Sequence, residues 1–270
     1  MCFNQYGSGF DGVCLEHEAH VTANTMKKLL GRIWLVWAGF WFVSLFLLVY
    51  PLLYLLLLSP KTYRLAHGLR KIWGKTTSIV AFVWPVVRYE QPLPKNQQMV
   101  FCPNHISYLD ILTCGSFLPG FNFFMGKIEL SRIPLFGIWF RTLDIAVHRE
   151  SLRGSHKAFL DASKQMDELG ANLIIYPEGR IPDNAPQVKY PFKPGAFRLA
   201  IEKQIPIVPV TLVDNFKRFN SDTFEGSPGL MRMFVHAPIE TKGLSIDDMP
   251  IVQEKVYNVI SSQLKSLGII

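Results

Sequence analysis

A run of uncharged residues from Ile33 to Leu58 constrains the fold of this chain more than any other feature of its sequence. As an α-helix the run would be about 39 Å long, and the hydrocarbon core of a bilayer is about 30 Å thick. A buried core helix is the less favoured alternative, because helices in soluble domains average only about 11 residues. The run therefore predicts a membrane helix, which either crosses the bilayer or dips into one leaflet.

The residues around this run predict how it sits in the membrane. Trp34, Trp37 and Trp41 recur at helical spacing near its start, which is typical of rings at the headgroup level. Basic residues are more numerous after the run than before it, which favours a cytoplasmic location for the C-terminal side. Those before it are Lys27, Lys28 and Arg32, and those after it are Lys61, Arg64, Arg70, Lys71 and Lys75.

A second helix is predicted directly after the run, and it divides the chain into three parts. Leu65, Leu69, Ile72 and Trp73 share one helical face, as expected for an amphipathic helix lying in the membrane interface. We therefore assign residues 26–87 to membrane-associating helices and residues 88–270 to a soluble domain. Residues 1–25 contain no Lys or Arg, and we expect a disordered tail there, or a native start at Met26.

The soluble part alternates short apolar runs with helical patterns, which predicts an α/β fold. We expect a mainly parallel or mixed sheet flanked by helices, behind the N-terminal helix pair. The predicted strands are Val86–Tyr89, Met99–Cys102, Phe121–Met125, Asp144–Val147, Leu173–Tyr176, Ile207–Leu212 and Met231–Ala237. The predicted helices are Leu109–Phe117, Pro134–Thr142, Ser155–Leu169, Ala196–Glu202 and Pro250–Leu267.

The segment from Asn104 to Asp110 contains the residues best suited to catalysis. It reads as a strand, a turn and a helix, with His105 in the turn and Asp110 in the first helical turn. A carboxylate in reach of an imidazole fixes the tautomer of the ring and stabilises the imidazolium, so that His105 can take a proton from a hydroxyl. The spacing alone is equally consistent with an ordinary surface histidine that follows a helix cap formed by Asn104 or Ser107.

Two further segments place polar residues after predicted strands, where α/β proteins bind ligands. In the first, Glu178, Gly179 and Arg180 follow a strand, and Arg180 is able to hold a phosphate through two hydrogen bonds. In the second, Lys127 and Arg149 each follow a strand and are suited to bind an anion. Each of these cations, taken singly, is better explained as a solvated surface charge.

Composition argues against several other classes of protein. The net charge is +7, but Lys and Arg are spread along the chain and no nucleic-acid-binding signature occurs. Its cysteines, Cys2, Cys14, Cys102 and Cys114, form no C-x-x-C pair and no cluster with zinc spacing, so free thiols and no metal site are expected. No G-x-S-x-G segment is present to supply a serine nucleophile.

Four segments together resemble the 1-acyl-sn-glycerol-3-phosphate acyltransferase (PlsC-like lysophospholipid acyltransferase) family. They are the Asn-His-x-Ser-x-x-Asp block at Asn104–Asp110, the stretch from Gly126 to Arg149, the Pro-Glu-Gly block at Tyr176–Arg180 and the strand Ile207–Val210. Their order and spacing match the family over residues 63 to 267. Arg180 stands where the family often has Thr, and His148 where it often has Asp.

This resemblance implies an acyltransferase that converts 1-acyl-glycerol-3-phosphate to phosphatidic acid without an acyl-enzyme. His105 would be the base and Asp110 its orienting carboxylate. Substrate binding would fall to seven residues, namely Asn104, Ser107, Lys127, Arg149, Glu178, Gly179 and Arg180. No metal or cofactor is implied; the acyl donor would be a thioester of acyl carrier protein or coenzyme A.

The implied partners are a membrane lipid, a lysophospholipid and that donor. The implied location is the cell membrane, with the catalytic domain on the cytoplasmic face. Other acceptors stay open, namely glycerol-3-phosphate, another lysophospholipid or a lyso-aminolipid. A non-catalytic membrane scaffold and a metal-dependent hydrolase are alternatives of other classes.

Overall fold

The computed structural model describes residues 10–148 and 151–270 of the chain. Two antiparallel helices come first, α1 (Phe10–Leu56) and α2 (Tyr63–Val80). The α/β domain then contains β1 (Val83–Tyr89), β2 (Val100–Pro103), α3 (Leu109–Phe117), β3 (Asn122–Lys127), α4 (Ile138–Thr142), β4 (Ile145–Val147), α5 (Leu152–Leu169), β5 (Asn172–Ile174), α6 (Gly195–Lys203), β6 (Ile207–Leu212), α7 (Asn215–Arg218), β7 (Phe219–Asn220), β8 (Glu225–Gly226), β9 (Gly229–Val235) and α8 (Met249–Ser266). Short 3₁₀ turns occupy Pro60–Thr62, Ile128–Arg132 and Ile246–Asp248.

Within the described residues, seven strands form one mixed sheet in the order β1-β9-β6-β2-β5-β3-β4. The strands from β6 to β4 run parallel to one another, while β9 is antiparallel to β6 and β1 follows the direction of β9. Strands β2 and β6 are buried at every position, which explains why both read as unbroken apolar runs. The mixed sheet flanked by helices confirms the predicted fold class.

The parallel direction of these strands positions the functional residues. The chain leaves β2, β3, β5 and β6 at the same edge of the sheet, since all four strands point the same way. The residues that follow them, including His105, Lys127, Glu178 and Asn215, are therefore gathered there. Helix α3 packs on one face of the sheet above this edge, and α5 and α6 pack on the other.

Helix α1 lies against the domain over much of its length. Phe46, Leu53 and Leu57 are buried in the main core, and further towards the N-terminus Lys28 forms an ion pair with Glu225 of β8 at 3.6 Å. The outward face of the helix is strongly apolar and exposed; Leu48, for example, is 75% exposed. By length and composition the segment Thr25–Leu56 is able to cross a membrane.

The tryptophans of α1 have a specific role that the sequence did not predict. The indole N–H of Trp34 donates to the carbonyl of Ala81 and that of Trp37 to the carbonyl of Val80, each at 2.8 Å. These carbonyls lie at the end of α2, where the last four carbonyls of a helix lack partners within it. The two indoles therefore cap α2 and join the helices into one hairpin.

Helix α2 differs from the simple amphipathic helix that was predicted. Leu65 and Ile72 are exposed as expected, but Trp73, assigned to the same face, is buried in the core. Arg70, which was placed among the surface bases, is buried against the domain. The reason is that α2 packs on α3 and carries two different faces, one apolar towards the outside and one partly polar towards the domain.

The division of the chain also differs at two points from the sequence prediction. The boundary at residue 88 falls inside β1, which pairs with β9 from Val83 onwards. Residues 10–25, expected as a disordered tail, continue helix α1, because extending an existing helix is far easier than nucleating one. Residues 1–9 lie outside the described part, and a native start at Met26 stays a prediction.

Candidate active site

His105 and Asp110 lie in direct contact at the start of α3. The Nδ1 atom of His105 is 2.8 Å from Oδ2 of Asp110, and that oxygen also accepts from the backbone N–H groups of Ile106 at 2.7 Å and Ser107 at 2.9 Å. A carboxylate only accepts hydrogen bonds, so Nδ1 carries the proton and Nε2 is left as the basic nitrogen. The carboxylate therefore fixes both the turn that holds His105 and the tautomer of its ring.

Asn215 completes this arrangement from the far side of Asp110. Its side-chain amide donates to the second carboxylate oxygen, Oδ1, at 2.7 Å, and lies 3.0 Å from the hydroxyl of Thr113. Asn215 is fully buried and follows β6, more than one hundred positions along the chain. The sequence analysis did not identify Asn215. Its position shortly after the buried strand β6, at the edge of the sheet where the other site residues lie, would have marked it as a candidate.

The imidazole of His105 is also held by contacts to the segment after β5. Its ring stacks on that of Tyr176, with centroids 4.1 Å apart and planes inclined by 19°. The backbone N–H of His105 donates to Oε1 of Glu178 at 2.7 Å, and the other oxygen of Glu178 accepts from the backbone N–H of Lys189 at 2.9 Å. Glu178 thus ties the catalytic turn to the loop that covers it.

Burial raises the pKa of Glu178 to about 7, against the smaller opposing effect of those two backbone hydrogen bonds. Its carboxylate therefore titrates close to neutral pH. Glu178 and Gly179 both line the cavity in front of His105, as expected for residues that shape the pocket floor. Gly179 has a φ of +76°, a conformation that favours glycine.

Two residues predicted to bind substrate have other roles in the structure. The amide of Asn104 donates to the carbonyl of Leu212 at 3.0 Å and accepts from the N–H of Leu212 at 2.7 Å, so it joins β2 to β6. Ser107 donates to the carbonyl of Phe219 at 2.6 Å and accepts from the N–H of Leu109 at 3.1 Å. Both side chains are buried with their polar atoms engaged, so a substrate-binding role does not fit them.

Cationic side chains surround the mouth of the cavity. Lys127 and Arg180 lie there as predicted, joined by Lys189 and Lys193, which the sequence analysis missed. Lys127 and Arg180 are more than half exposed and pair loosely with Glu129 at 3.3 Å and Asp183 at 3.0 Å. Such exposed pairs are weak and readily exchange for a bound anion. Arg149, the other predicted phosphate ligand, lies outside the described residues.

The cavity itself has a volume of about 1100 Å³ and changes character with depth. The mouth, beside His105, is lined by the cations and by Tyr108, Ser221 and Asp222. The inner part runs between α2, α3 and α4 as far as α1. Its lining there is mostly apolar, namely Phe42, Trp73, Leu112, Phe124, Leu130, Phe136, Trp139 and Phe140. The arrangement suits a ligand with a charged headgroup and a long hydrocarbon chain.

Neither a reactive thiol nor a metal-binding cluster is found among the residues that the structure describes. Cys102 and Cys114 are buried, and burial raises the pKa of both thiols well above the ordinary value. No group of three or more His, Cys, Asp or Glu side chains in the described ranges is arranged to hold a metal ion. The chemistry available is therefore that of a general base beside cations.

The chain is similar in sequence to known acyltransferases. Residues 85–213 match the family model described as Acyltransferase. An acyltransferase of Schizosaccharomyces pombe is 29% identical over 66% of this chain, and the match spans 63% of that protein's length. A Caenorhabditis elegans protein that carries the name of a 1-acyl-sn-glycerol-3-phosphate acyltransferase is 30% identical over 72% of this chain and 68% of its own length.

A solved structure shares the fold. It is the crystal structure of the 1-acyl-sn-glycerophosphate acyltransferase PlsC from Thermotoga maritima, with a TM-score of 0.72 and 22% identity, covering 90% of this chain and 97% of that one. The helix hairpin and the mixed sheet thus form an architecture that is already known. Together with the matches in sequence, they show that the chain belongs to the 1-acyl-sn-glycerol-3-phosphate acyltransferase family.

Proposed function

We propose that this protein transfers a fatty acyl group from a thioester donor to the free hydroxyl of 1-acyl-glycerol-3-phosphate, giving phosphatidic acid. The observation that carries the proposal is the His105–Asp110 pair, with Nδ1 and Oδ2 2.8 Å apart, facing a cavity that is cationic outside and apolar inside. This combination supplies a base, a phosphate site and a chain site within one cavity.

The reaction follows from the tautomer that Asp110 imposes. Nε2 of His105 accepts the proton of the glycerol hydroxyl while the hydroxyl oxygen attacks the thioester carbonyl carbon. The tetrahedral intermediate collapses, the carbon–sulfur bond breaks, and the leaving thiolate takes the proton from the imidazolium. Asp110 stabilises the imidazolium between these two transfers. No acyl-enzyme is formed, in keeping with the buried, engaged state of Ser107 and the buried cysteines.

The two ends of the cavity divide the substrate between them. Lys127 and Arg180 at the mouth suit the phosphate of the acceptor. Arg149, outside the described residues, stays a predicted phosphate ligand. The apolar inner part suits an acyl chain, since each CH₂ removed from water contributes about 0.8 kcal/mol. The thioester carbonyl would then lie between them, beside His105.

We further propose that α1 lies within one leaflet and does not cross the bilayer. The apolar run of α1 is held at both of its ends, since Trp34 and Trp37 donate to the end of α2 and Leu53 is buried in the core, so both ends of the run stay on the same side of the molecule. Its exposed face, together with Leu65 and Ile72 of α2, forms an apolar surface beside the active-site cavity. The basic residues around α1 suit the anionic headgroups of the cytoplasmic leaflet, which supports placement of the domain on the cytoplasmic face.

The direct test uses the purified full-length protein in detergent micelles with labelled acyl-coenzyme A or acyl carrier protein. We expect lysophosphatidic acid to be converted to phosphatidic acid, and His105→Ala to lower kcat by at least about a thousandfold, in the range of general-base effects. Wild-type rates in His105→Ala would refute the assignment of the base.

The same assay with other acceptors separates the remaining alternatives. Faster acylation of glycerol-3-phosphate, another lysophospholipid or a lyso-aminolipid would move the proposal to that acceptor. Absence of transfer to every acceptor would favour a non-catalytic scaffold. Loss of activity on treatment with a chelator would favour a metal-dependent enzyme.

A further inference from the structure

A second cavity opens beside the active site, between helices α5 and α6. Its volume is about 520 Å³, and it lies over the carboxyl ends of β3, β4 and β5, on the face of the sheet opposite to α3. Along α5 its lining runs from Ser155 to Ser163, a distance of about 12 Å on a helix. We call this cavity the α5–α6 groove.

The groove adjoins the catalytic cavity. Both are lined by Met125, Tyr176, Gly179 and Lys193, so these residues form the junction between them. Tyr176 is the residue on which the imidazole of His105 stacks at 4.1 Å. A molecule that extends along the groove therefore arrives beside the proposed base.

At the junction, the side chain of Lys193 occupies the space above Gly179 that a side chain at this position would need. A Cβ atom built there would lie 2.7 Å from Cε of Lys193, closer than real Cβ atoms approach another atom. The stem of Lys193 thus passes directly over Gly179 and places its ammonium group where groove and cavity meet. The residue lines both spaces, and its ammonium is available to an anion in either.

The lining of the groove suits a particular kind of ligand. Its base is apolar, with Val147, Phe159 and Leu199, while Ser155, Ser163 and His156 provide hydrogen-bonding groups along one wall. Arg198 lies on the other wall, paired with Glu202 at 2.7 Å. Such a surface matches an extended chain that alternates methylenes with amides and ends in a phosphate.

We propose that the α5–α6 groove binds the 4′-phosphopantetheine arm of the acyl donor and guides its thioester past Gly179 to His105. The inference rests on the proposed function. It assigns the headgroup of the lysophospholipid to the mouth of the catalytic cavity and the donor arm to a separate channel. Coenzyme A and acyl carrier protein share this arm, so the groove serves either donor.

The test fills the groove without touching the catalytic cavity. Leu160 lines the groove and is 58% exposed, so Leu160→Trp narrows the groove without disturbing the core. The full-length protein is assayed with three donors: acyl-coenzyme A, acyl carrier protein, and the acyl thioester of N-acetylcysteamine, which lacks the outer arm and its phosphate. Ile251→Trp, at a position 56% exposed on α8, is the matched control.

We expect Leu160→Trp to raise KM for both complete donors by about tenfold, equivalent to about 1.4 kcal/mol. KM for lysophosphatidic acid and for the truncated donor should stay at the wild-type value. His156→Glu should likewise raise KM only for donors that carry the phosphate, and Lys157→Glu, outside the groove lining, should not. An increase with only one complete donor would contradict binding of the arm that the two donors share.

Two outcomes would overturn the inference. One is an unchanged KM for both complete donors in Leu160→Trp and His156→Glu, and the other is an equal loss with the truncated donor. Thermal unfolding of each variant distinguishes a blocked groove from a misfolded protein. Failure of the proposed function has a different signature, because the wild-type protein would then transfer acyl groups from none of the three donors.

Discussion

The carboxylate of Asp110 is the point at which four hydrogen bonds of the candidate site converge. It accepts hydrogen bonds from the imidazole of His105, two backbone N–H groups and the amide of Asn215. Because the group is fully buried, each of these donors matters more than it would in water. Asn215 therefore acts as a positioning residue through Asp110, without itself touching the reacting atoms.

We predict that Asn215→Ala lowers kcat by about tenfold to a hundredfold, since a hydrogen bond to a charged group contributes about 1.5–3 kcal/mol. KM for lysophosphatidic acid should change little, because the cavity lining is untouched. Steady-state kinetics and the pH profile of kcat measure both. Unchanged kcat with a lowered melting temperature would show that Asn215 only supports the fold.

Glu178 gives a pH dependence whose sign follows from its raised pKa. Below pH 4.5 the carboxyl is protonated in the folded and unfolded chain alike, whereas between 4.5 and about 7 only the unfolded chain releases the proton. The free energy of unfolding therefore falls as pH rises through this window and levels off above it. The total change is on the order of 3 kcal/mol, at about 1.4 kcal/mol per pKa unit.

We predict that Glu178→Gln flattens this dependence in unfolding measurements from pH 4 to 8. The amide group of the variant also faces a backbone N–H with a donor, which lowers its stability by an amount that does not depend on pH. The slope, and not the absolute stability, is thus the diagnostic quantity. An equally steep slope in the variant would assign the pH dependence to other groups.

Helix α2 is fixed to the sheet by a buried ion pair. Arg70 donates from Nη1 to both oxygens of Asp144 at 3.0 and 2.9 Å, and from Nη2 to the carbonyl of Asn122 at 2.7 Å. Asp144 also accepts from the N–H of Phe124 at 2.9 Å. His67 lies beside Arg70, and burial lowers its pKa to about 2, so it stays neutral and accepts from the guanidinium.

We predict that Arg70→Met destabilises the protein by about 3–5 kcal/mol, because it leaves the carboxylate of Asp144 buried without its partner. Thermal unfolding in micelles measures the effect. Arg64→Met, at an exposed position on the same helix, is the control. The double variant Arg70→Met with Asp144→Leu should recover most of the loss, and a double variant as unstable as the single one would contradict the explanation.

The secondary structure could largely be read from the sequence because its signals are local. All seven strands of the main sheet were predicted, and α3 matches its predicted bounds at both ends. Helix α4 is shorter than expected, starting at Ile138, because Pro134 and Leu135 form a turn in which Leu135 has a φ of +60°. Strands β7 and β8, with two residues each, are too short to leave a periodic pattern.

Only part of the candidate site could be predicted from such local signals. His105 and Asp110 are five positions apart, so the sequence shows them together. Asn215 contacts Asp110 across 105 positions of the chain, and Arg70 contacts Asp144 across 74. No local sequence pattern predicts contacts between residues so far apart. Asn104 and Ser107 were assigned to the substrate because a motif gives the identity of a residue but not the direction of its side chain.

The molecule as a whole presents its apolar surface on one side, formed by the outward faces of the helix hairpin. If α1 lies in one leaflet, residues before and after its apolar run face the same aqueous compartment. We predict that Lys28→Cys and Lys61→Cys, made in a Cys2→Ser, Cys14→Ser background, react equally with a membrane-impermeant maleimide added to sealed vesicles. Labelling of the two positions from opposite sides would show instead that α1 crosses the bilayer.

The position of α1 alongside the cavity also determines which measure of acceptor concentration the reaction rate would depend on. A protein seated flat in one leaflet meets a lysolipid by lateral diffusion, so its turnover follows the mole fraction of acceptor in the lipid surface and not the amount per volume of buffer. Adding inert phospholipid at constant lysophosphatidic acid should then slow the reaction, whereas adding water should leave its rate per molecule of bound enzyme unchanged.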